Sequence, residues 1–176
     1  MRFLKLILIS FIALCSVLLF FSVMMPSTVV VSRAVNISAS VDSIKFHVAN
    51  LNQWVYWMKG MKSSNSKIYS SREALLGHQK VLITGVTDSS VVSVWESPEL
   101  SRQESTVNFI KTANSTQTIV QWQFVQKLHW YPWEKFGSFM NDKILGPLME
   151  QNLETLKQLS EHQQVNLEGT SDNLNQ

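Results

Sequence analysis

Four histidines, His47, His78, His129 and His162, are the side chains best suited to proton transfer or metal binding in this 176-residue chain. They are scattered, and no two share the i, i+4 helical spacing of a His-Glu-x-x-His site, so the sequence supports no metal centre. His47 falls in a helical stretch and reads as a partly exposed surface residue. His129 stands between Leu128 and Trp130, an aromatic setting in which burial shifts an imidazole's proton affinity; a structural role is the alternative. Glu96, Glu99 and Glu104 bracket a turn around Pro98 and read as solvated acids. Cys15 is the one cysteine and lies inside an apolar run, which leaves the remainder without a disulfide, a zinc cluster or a thiol nucleophile. Neither a Gly-x-Ser-x-Gly elbow nor a phosphate-binding glycine loop is present. No catalytic residue and no cofactor is assigned. Asn36-Ile37-Ser38 and Asn114-Ser115-Thr116 fit the glycosylation pattern, which matters only in a eukaryotic secretory setting.

Aromatic surface is the more prominent resource. All six tryptophans follow residue 50. Along one strand-like stretch Val120, Trp122 and Phe124 share a face, while Ile119, Gln121, Gln123 and Val125 share the other. Val107 and Phe109 share a face of the preceding stretch, and Trp95 ends the one before. His129 to Phe136, HWYPWEKF, then brings rings into a strand-to-helix corner, and Phe139 and Met140 continue the run.

The elements that position these residues follow from patterning. Leu6 to Met25 is twenty residues without charge or proline, enough helix to cross the roughly 30 Å hydrocarbon layer of a bilayer. Arg2 and Lys5 precede it, which predicts a cytoplasmic N-terminus and an extracytoplasmic C-terminal domain. A cleaved signal peptide is the rival, but its apolar core is shorter and ends in small residues, and Val23, Met24 and Met25 are poor matches. Ile12-Ala13-Leu14-Cys15 departs from a lipoprotein box at the bulky Leu14. Arg2 and Lys5 belong to 15 basic residues set against 13 acidic ones, so the rest of the chain is balanced and offers no footprint for nucleic acid.

Val29, Val31, Val35 and Ile37 then alternate as a half-buried strand does. Ser40 is suited to cap a helix carrying Val41, Ile44, Val48 and Leu51, with Asp42 in its first turn. A second helical turn, Asn52 to Met58, holds Trp54 and Trp57. Strands are predicted at Lys67–Ser71, Lys80–Val86, Val91–Glu96, Glu104–Thr112 and Gln117–Lys127, with polar hairpin loops at residues 87–90 and 113–116. Such short connections favour an antiparallel meander. From Pro132 to about His162 an apolar stripe of Leu145, Leu148, Met149, Leu153, Leu156 and Leu159 marks a long helix, kinked or split at Gly146-Pro147. The expected division is an anchor over 1–26, a domain over 27–163 and a disordered polar tail over 164–176.

Val35-Asn36-Ile37-Ser38-Ala39-Ser40 running into Val41-Asp42-Ser43-Ile44-Lys45-Phe46, then Asn50-Leu51-Asn52-Gln53-Trp54 and Trp57, resembles the opening of the START-like (SRPBCC) helix-grip superfamily, the polyketide cyclase/dehydrase and lipid transport group. Asp142 to Glu150 and Leu153-Glu154-Thr155-Leu156-Lys157 resemble its closing helix. The likeness covers roughly Thr28 to Glu161. It departs in the middle strands, where glycines are scarce. The resemblance implies an α+β fold in which a curved antiparallel sheet wraps a long C-terminal helix, with a cavity between them for a small apolar ligand such as a lipid or polyketide. On that arrangement the ligand-binding candidates are Trp54, Trp57, Trp95, Phe109, Trp122, Phe124, Trp133, Phe136 and Met140. The same rings suit a solid core, and Trp130, Tyr131 and Trp133 also suit a bilayer interface. Three functional classes stay open. They are a membrane-anchored binding module, a cyclase, dehydratase or hydrolase using His129 or an acid, and a ligand-free envelope interaction domain.

Overall fold

The computed structural model describes residues 2–24, 26–98, 102–112, 117–129 and 131–173, without the side chains of residues 2, 136, 138–141 and 165–173. The apolar run forms helix α1 (Arg2–Met24), and Phe3–Met24 is long and apolar enough to cross a membrane. Its side chains pack on almost nothing, with Leu6, Ile9, Phe11 and Phe20 all more than half exposed. Ser16 returns its hydroxyl to the Ile12 carbonyl, a local bond that satisfies a polar side chain in an apolar setting.

Three residues, 25–27, separate α1 from strand β1 (Thr28–Ile37). At its far end Ser40 caps α2 (Val41–Val48), its Oγ accepting from the Ser43 amide. A 3₁₀ turn (Leu51–Gln53) and the single-turn α3 (Trp54–Trp57) follow. Six more strands complete the sheet: β2 (Ser66–Ile68), β3 (Glu73–Leu76), β4 (Gln79–Val86), β5 (Ser90–Glu96), β6 (Gln103–Lys111) and β7 (Thr118–Lys127). All pairings are antiparallel, in the order β1-β7-β6-β5-β4-β3-β2. The meander is as patterned, and β1 closes onto the last strand over its whole length, from Thr28–Lys127 to Ile37–Thr118. Helix α4 (Pro132–Asn173) lies against the inward face. This is the α+β helix-grip arrangement.

Four expectations change. The strand expected over Lys67–Ser71 ends early, as β2 (Ser66–Ile68), and an unexpected strand, β3 (Glu73–Leu76), follows through Tyr69–Arg72. Gly77, at φ +62°, then turns β3 into β4, a left-handed position that glycine adopts without strain. The turn permits a strand where Glu-Ala-Leu-Leu alone favours helix. Helix α4 runs through Gly146-Pro147 without splitting, and it stays helical to Asn173, beyond the expected start of the tail at 164. His47 is buried, not partly exposed, because it shares the inward stripe with Ile44 and Val48. Its Nε2 meets Gln163 Oε1 at 2.6 Å. The hairpin loop at 113–116 lies outside the described residues.

The core forms where sheet, α2, α3 and α4 converge. Ile37, Ile44, Val48, Leu51, Val120, Met149 and Leu156 are fully buried there. Each such aliphatic side chain contributes about 1.5–3 kcal/mol relative to exposure. Arg33 fastens α4 to β1 at the edge of this core. Its Nε donates to Glu150 Oε1 at 2.6 Å and its Nη2 to Asp142 Oδ1 at 3.0 Å, and the hydrogen bond to Glu150 leads in holding its pKa above the usual range. Gly146 sits between those acids. A Cβ there would run into Arg33 Nη2, so glycine is what lets the guanidinium lie against the helix.

Candidate functional site

Period-two alternation decides which strand residues face α4. On β7 these are Thr118, Val120, Trp122, Phe124 and Gln126, all buried. On β6 they are Gln103, Ser105, Val107 and Phe109, and cross-strand partners such as Val107–Trp122 and Gln103–Gln126 lie side by side. Trp95 of β5 stands opposite both Val81 and Gln103.

Five rings make a closed circuit on this face. Trp54 meets Trp57 (5.5 Å between centroids), Trp57 meets Trp122 (5.9 Å), Trp122 meets Phe124 (5.4 Å), Phe124 meets Trp95 (5.3 Å), and Trp95 stacks back on Trp54 (6.0 Å). Such pairs contribute about 0.5–1.5 kcal/mol each beyond area burial. Every indole N–H in the circuit is satisfied within the protein. Trp95 donates to Ser93 Oγ and Trp122 to Ser105 Oγ, while Trp54 and Trp57 donate to the carbonyls of Val48 and His47. The two serines are inward-facing positions kept small and polar, which is why a strand buried on this face tolerates them.

Between this circuit and the middle of α4 the packing opens into two adjoining hollows. One, of about 130 Å³, is lined by Trp95, Trp122, Phe124, Leu145, Leu148 and Met149 among others. The second, of about 210 Å³, is lined by Val29, Val31, Phe124, Ile144, Leu145 and Leu148, with Gln126. Gln79, Gln103, Phe124, Leu145 and Leu148 border both. A single water needs only ~10–15 Å³ of such space, and apolar cavities of ~150 Å³ take up benzene-sized solutes. The lining is apolar apart from Gln79, Gln103, Gln126, Asn152 and Lys59. Asn152 is committed, its Oδ1 accepting from the Lys59 amide at 2.9 Å, and Lys59 Nζ reaches out to Gln151. Among the described residues no acid and no histidine lines either hollow.

The candidates named from sequence therefore separate. Trp95, Trp122 and Phe124 line the hollows. Trp54 and Trp57 complete the aromatic circuit behind that wall, Trp57 also edging a shallow groove between α3 and α4, and Phe109 is buried in the core. Trp133 is 69% exposed and stacks on Tyr131 at 4.8 Å, away from both hollows. The side chains of Phe136 and Met140, like Trp130 and Glu99 as a whole, lie outside the described residues. His129 is solvent-facing and accompanies Glu134, which accepts from its backbone amide and lies 3.2 Å from its Nδ1. Glu134 thereby satisfies a free amide ahead of α4, beside Pro132 at the helix start.

Leu145, Leu148 and Met149 were legible as a helix stripe but not as a wall. The three glutamines were missed. Each stands in phase with an inward ladder, Gln103 with Ser105, Val107 and Phe109 for example, and a polar residue in that register is the signal that marks them.

Comparison with solved structures fixes the fold. A START superfamily protein from Mycobacterium smegmatis superposes with a TM-score of 0.59 at 15% identity, covering 76% of this chain and 97% of that one. This is a START-like fold. The di-domain ARO/CYC proteins StfQ, of the steffimycin biosynthetic pathway, and BexL, of the BE-7585A pathway, superpose at TM-scores of 0.57 and 0.58 with 10% and 12% identity. Each match covers 77% of this chain and about half of the di-domain protein, 51% and 50%. No family model matches the sequence, and no curated protein does. In the START-like frame the hollows lie between the sheet and the C-terminal helix.

Proposed function

We propose that this chain is a membrane-anchored START-like domain that holds a small apolar ligand, lipid-like or polyketide-like, between Trp95, Trp122 and Phe124 of the sheet and Leu145, Leu148 and Met149 of α4. Helix α1 is the anchor, with the domain on the extracytoplasmic side and the N-terminus, carrying Arg2 and Lys5, in the cytoplasm. The observation that carries the proposal is the apolar hollow against large side chains that leave it unfilled. The mechanism is burial of apolar ligand surface, at about 25 cal/mol per Å² removed from water. Among the described residues no acid or histidine lines the hollows, which favours binding over acid–base chemistry, and His129 stands apart on the surface.

Native mass spectrometry of the full chain, extracted in mild detergent, tests this. An apolar adduct is expected on the wild type and is expected to be lost from Leu145→Trp, whose indole fills the hollow. An adduct retained equally by Leu145→Trp would place the ligand elsewhere and overturn the assignment.

A further inference from the structure

The hollow has a direction. Its glutamines, Gln79, Gln103 and Gln126, stand at the first inward positions of β4 and β6 and the last of β7, all at the same end of the sheet as Val29. That is the end from which α1 departs. Gln126 pairs with Val29, only five residues beyond Met24 at the foot of α1. The anchor is held there twice more. Leu128 N donates to Ser27 O at 2.8 Å, and the buried ammonium of Lys135 donates to Ser22 O at 2.6 Å. Ser22 belongs to the last turn of α1, where the carbonyls lack helical partners and a cation is favoured. Lys135 thus ties the first turn of α4 to the end of the anchor. On the same end, Trp133 is 69% exposed and Ile144, at the wall of the outer hollow, is 68% exposed. An exposed indole beside an apolar anchor suits the interface between headgroups and acyl chains.

The described polar side chains that line the outer hollow, Gln79, Gln103 and Gln126, are uncharged. The carboxamides of Gln79 and Gln103 hydrogen-bond to no described residue, whereas the indole donors deeper in are all committed to the protein. Further in, the described polar lining is Asn152 and Lys59, whose Oδ1 and Nζ are engaged by the Lys59 amide and by Gln151, so the glutamines are the groups left to meet a ligand's polar atoms, while Phe124, Leu145 and Met149 meet its apolar part. Carboxamides both donate and accept, which suits hydroxyl or ester groups; among the described residues no cation lines the outer hollow to match a phosphate or carboxylate, and Lys59 of the inner one is engaged by Gln151.

We infer that the mouth of the cavity faces the bilayer, and that its ligand is a single-chain amphiphile with an uncharged, hydroxyl- or ester-bearing head, drawn tail-first from the adjacent leaflet, with the head held by Gln79 and Gln103. This rests on the membrane-anchored binding reading above and adds the route and the head-group chemistry.

The test uses the full chain reconstituted in phosphatidylcholine vesicles and a photoreactive monoacylglycerol carrying a diazirine at its chain end. The probe is supplied either within the same vesicles or from the aqueous phase on cyclodextrin. After irradiation the labelled residues are mapped by mass spectrometry. Labelling of Phe124, Leu145 or Met149 by probe in the same bilayer is expected. Gln79→Leu/Gln103→Leu is expected to reduce it about tenfold, the loss of two ordinary hydrogen bonds, with unchanged thermal unfolding because neither carboxamide serves the fold. A chain-matched diazirine fatty acid is expected to label poorly. Cavity labelling only from the aqueous phase would overturn the membrane route while leaving the binding function intact. Labelling from the bilayer that is indifferent to the double substitution would overturn the head-group assignment. No cavity labelling from either source would overturn the binding function itself.

Discussion

The sheet and α4 enclose two regions that are packed differently. Away from the anchor, Ile37, Ile44, Leu51, Val120 and Leu156 have no exposed surface at all. Near the anchor, residues of comparable size on the same helix and sheet surround hollows, and Leu148 and Ile144 reach solvent. Side-chain volume does not explain the contrast, since Phe124, Leu145 and Leu148 are large. Coverage does. Helix α2 and the turns that follow it add a further layer over the far half, where Thr118 Oγ1 is tied to the Ala39 carbonyl. Trp54 and Trp57 end that layer as the back of the aromatic circuit. Beyond them, among the described residues, α4 is the one helix facing the sheet, with Met58 and Lys59 at the border of the inner hollow. The hollow is thus a consequence of chain order: the helical layer leaves β1 at its far end and returns only as far as Trp57.

Substitutions on either side break or sharpen this contrast. Leu156→Ala is expected to lower unfolding free energy by about 2–5 kcal/mol, and Leu148→Ala by less than about 1 kcal/mol because that side chain borders open space. Equal losses in denaturant melts of the full chain would mean that the halves are packed alike. Enlargement should reverse the order of tolerance. Val120→Phe is expected to cost about 1–3 kcal/mol through overpacking, whereas Leu145→Phe is expected to leave the melting temperature nearly unchanged. Within α4, Gly137→Ala is expected to gain up to ~1 kcal/mol of helix stability, because an added methyl meets nothing within 4 Å. Gly146→Ala is expected to gain none of it, because the methyl displaces Arg33 from Asp142 and Glu150. Thermal melts of the two alanine variants decide the matter.

The smallest effect concerns Lys80, whose hydrogen bond to Glu73 raises its pKa. A raised lysine contributes stability that is fully present at neutral pH and is lost as alkaline pH passes the usual lysine range and then the raised value. An alkaline titration of stability should therefore flatten slightly in Lys80→Met.

Much of the fold was legible because its signals are local. Ser40 before Val41, the alternation from Val29 to Ile37 and the polar turn at Thr87–Ser90 each act within a few residues, and each element formed where those signals stand. Strand β3 was hidden because Glu73–Leu76 has helical composition and takes its strand pairing from the turn at Gly77 and from β4. His47 was misread because its burial depends on α4 arriving 116 residues later to supply Gln163. The site was half legible for the same reason. Ring-bearing strand positions announced an apolar face, but which rings fill the core and which border a hollow depends on where the helical layer stops, and no short window of sequence contains that.

The closed circuit of Trp54, Trp57, Trp122, Phe124 and Trp95 also makes the molecule its own optical instrument. Aromatic chromophores held at these centroid separations and fixed angles couple their electronic transitions, giving chiral bands in the near-ultraviolet that vanish when fixed packing is lost. Three of the five rings border the hollow and the other two are locked by hydrogen bonds to backbone carbonyls. A guest arriving against Trp95 or Trp122 changes the spectrum from one side of the circuit only. The cavity can therefore be watched filling without attaching a dye.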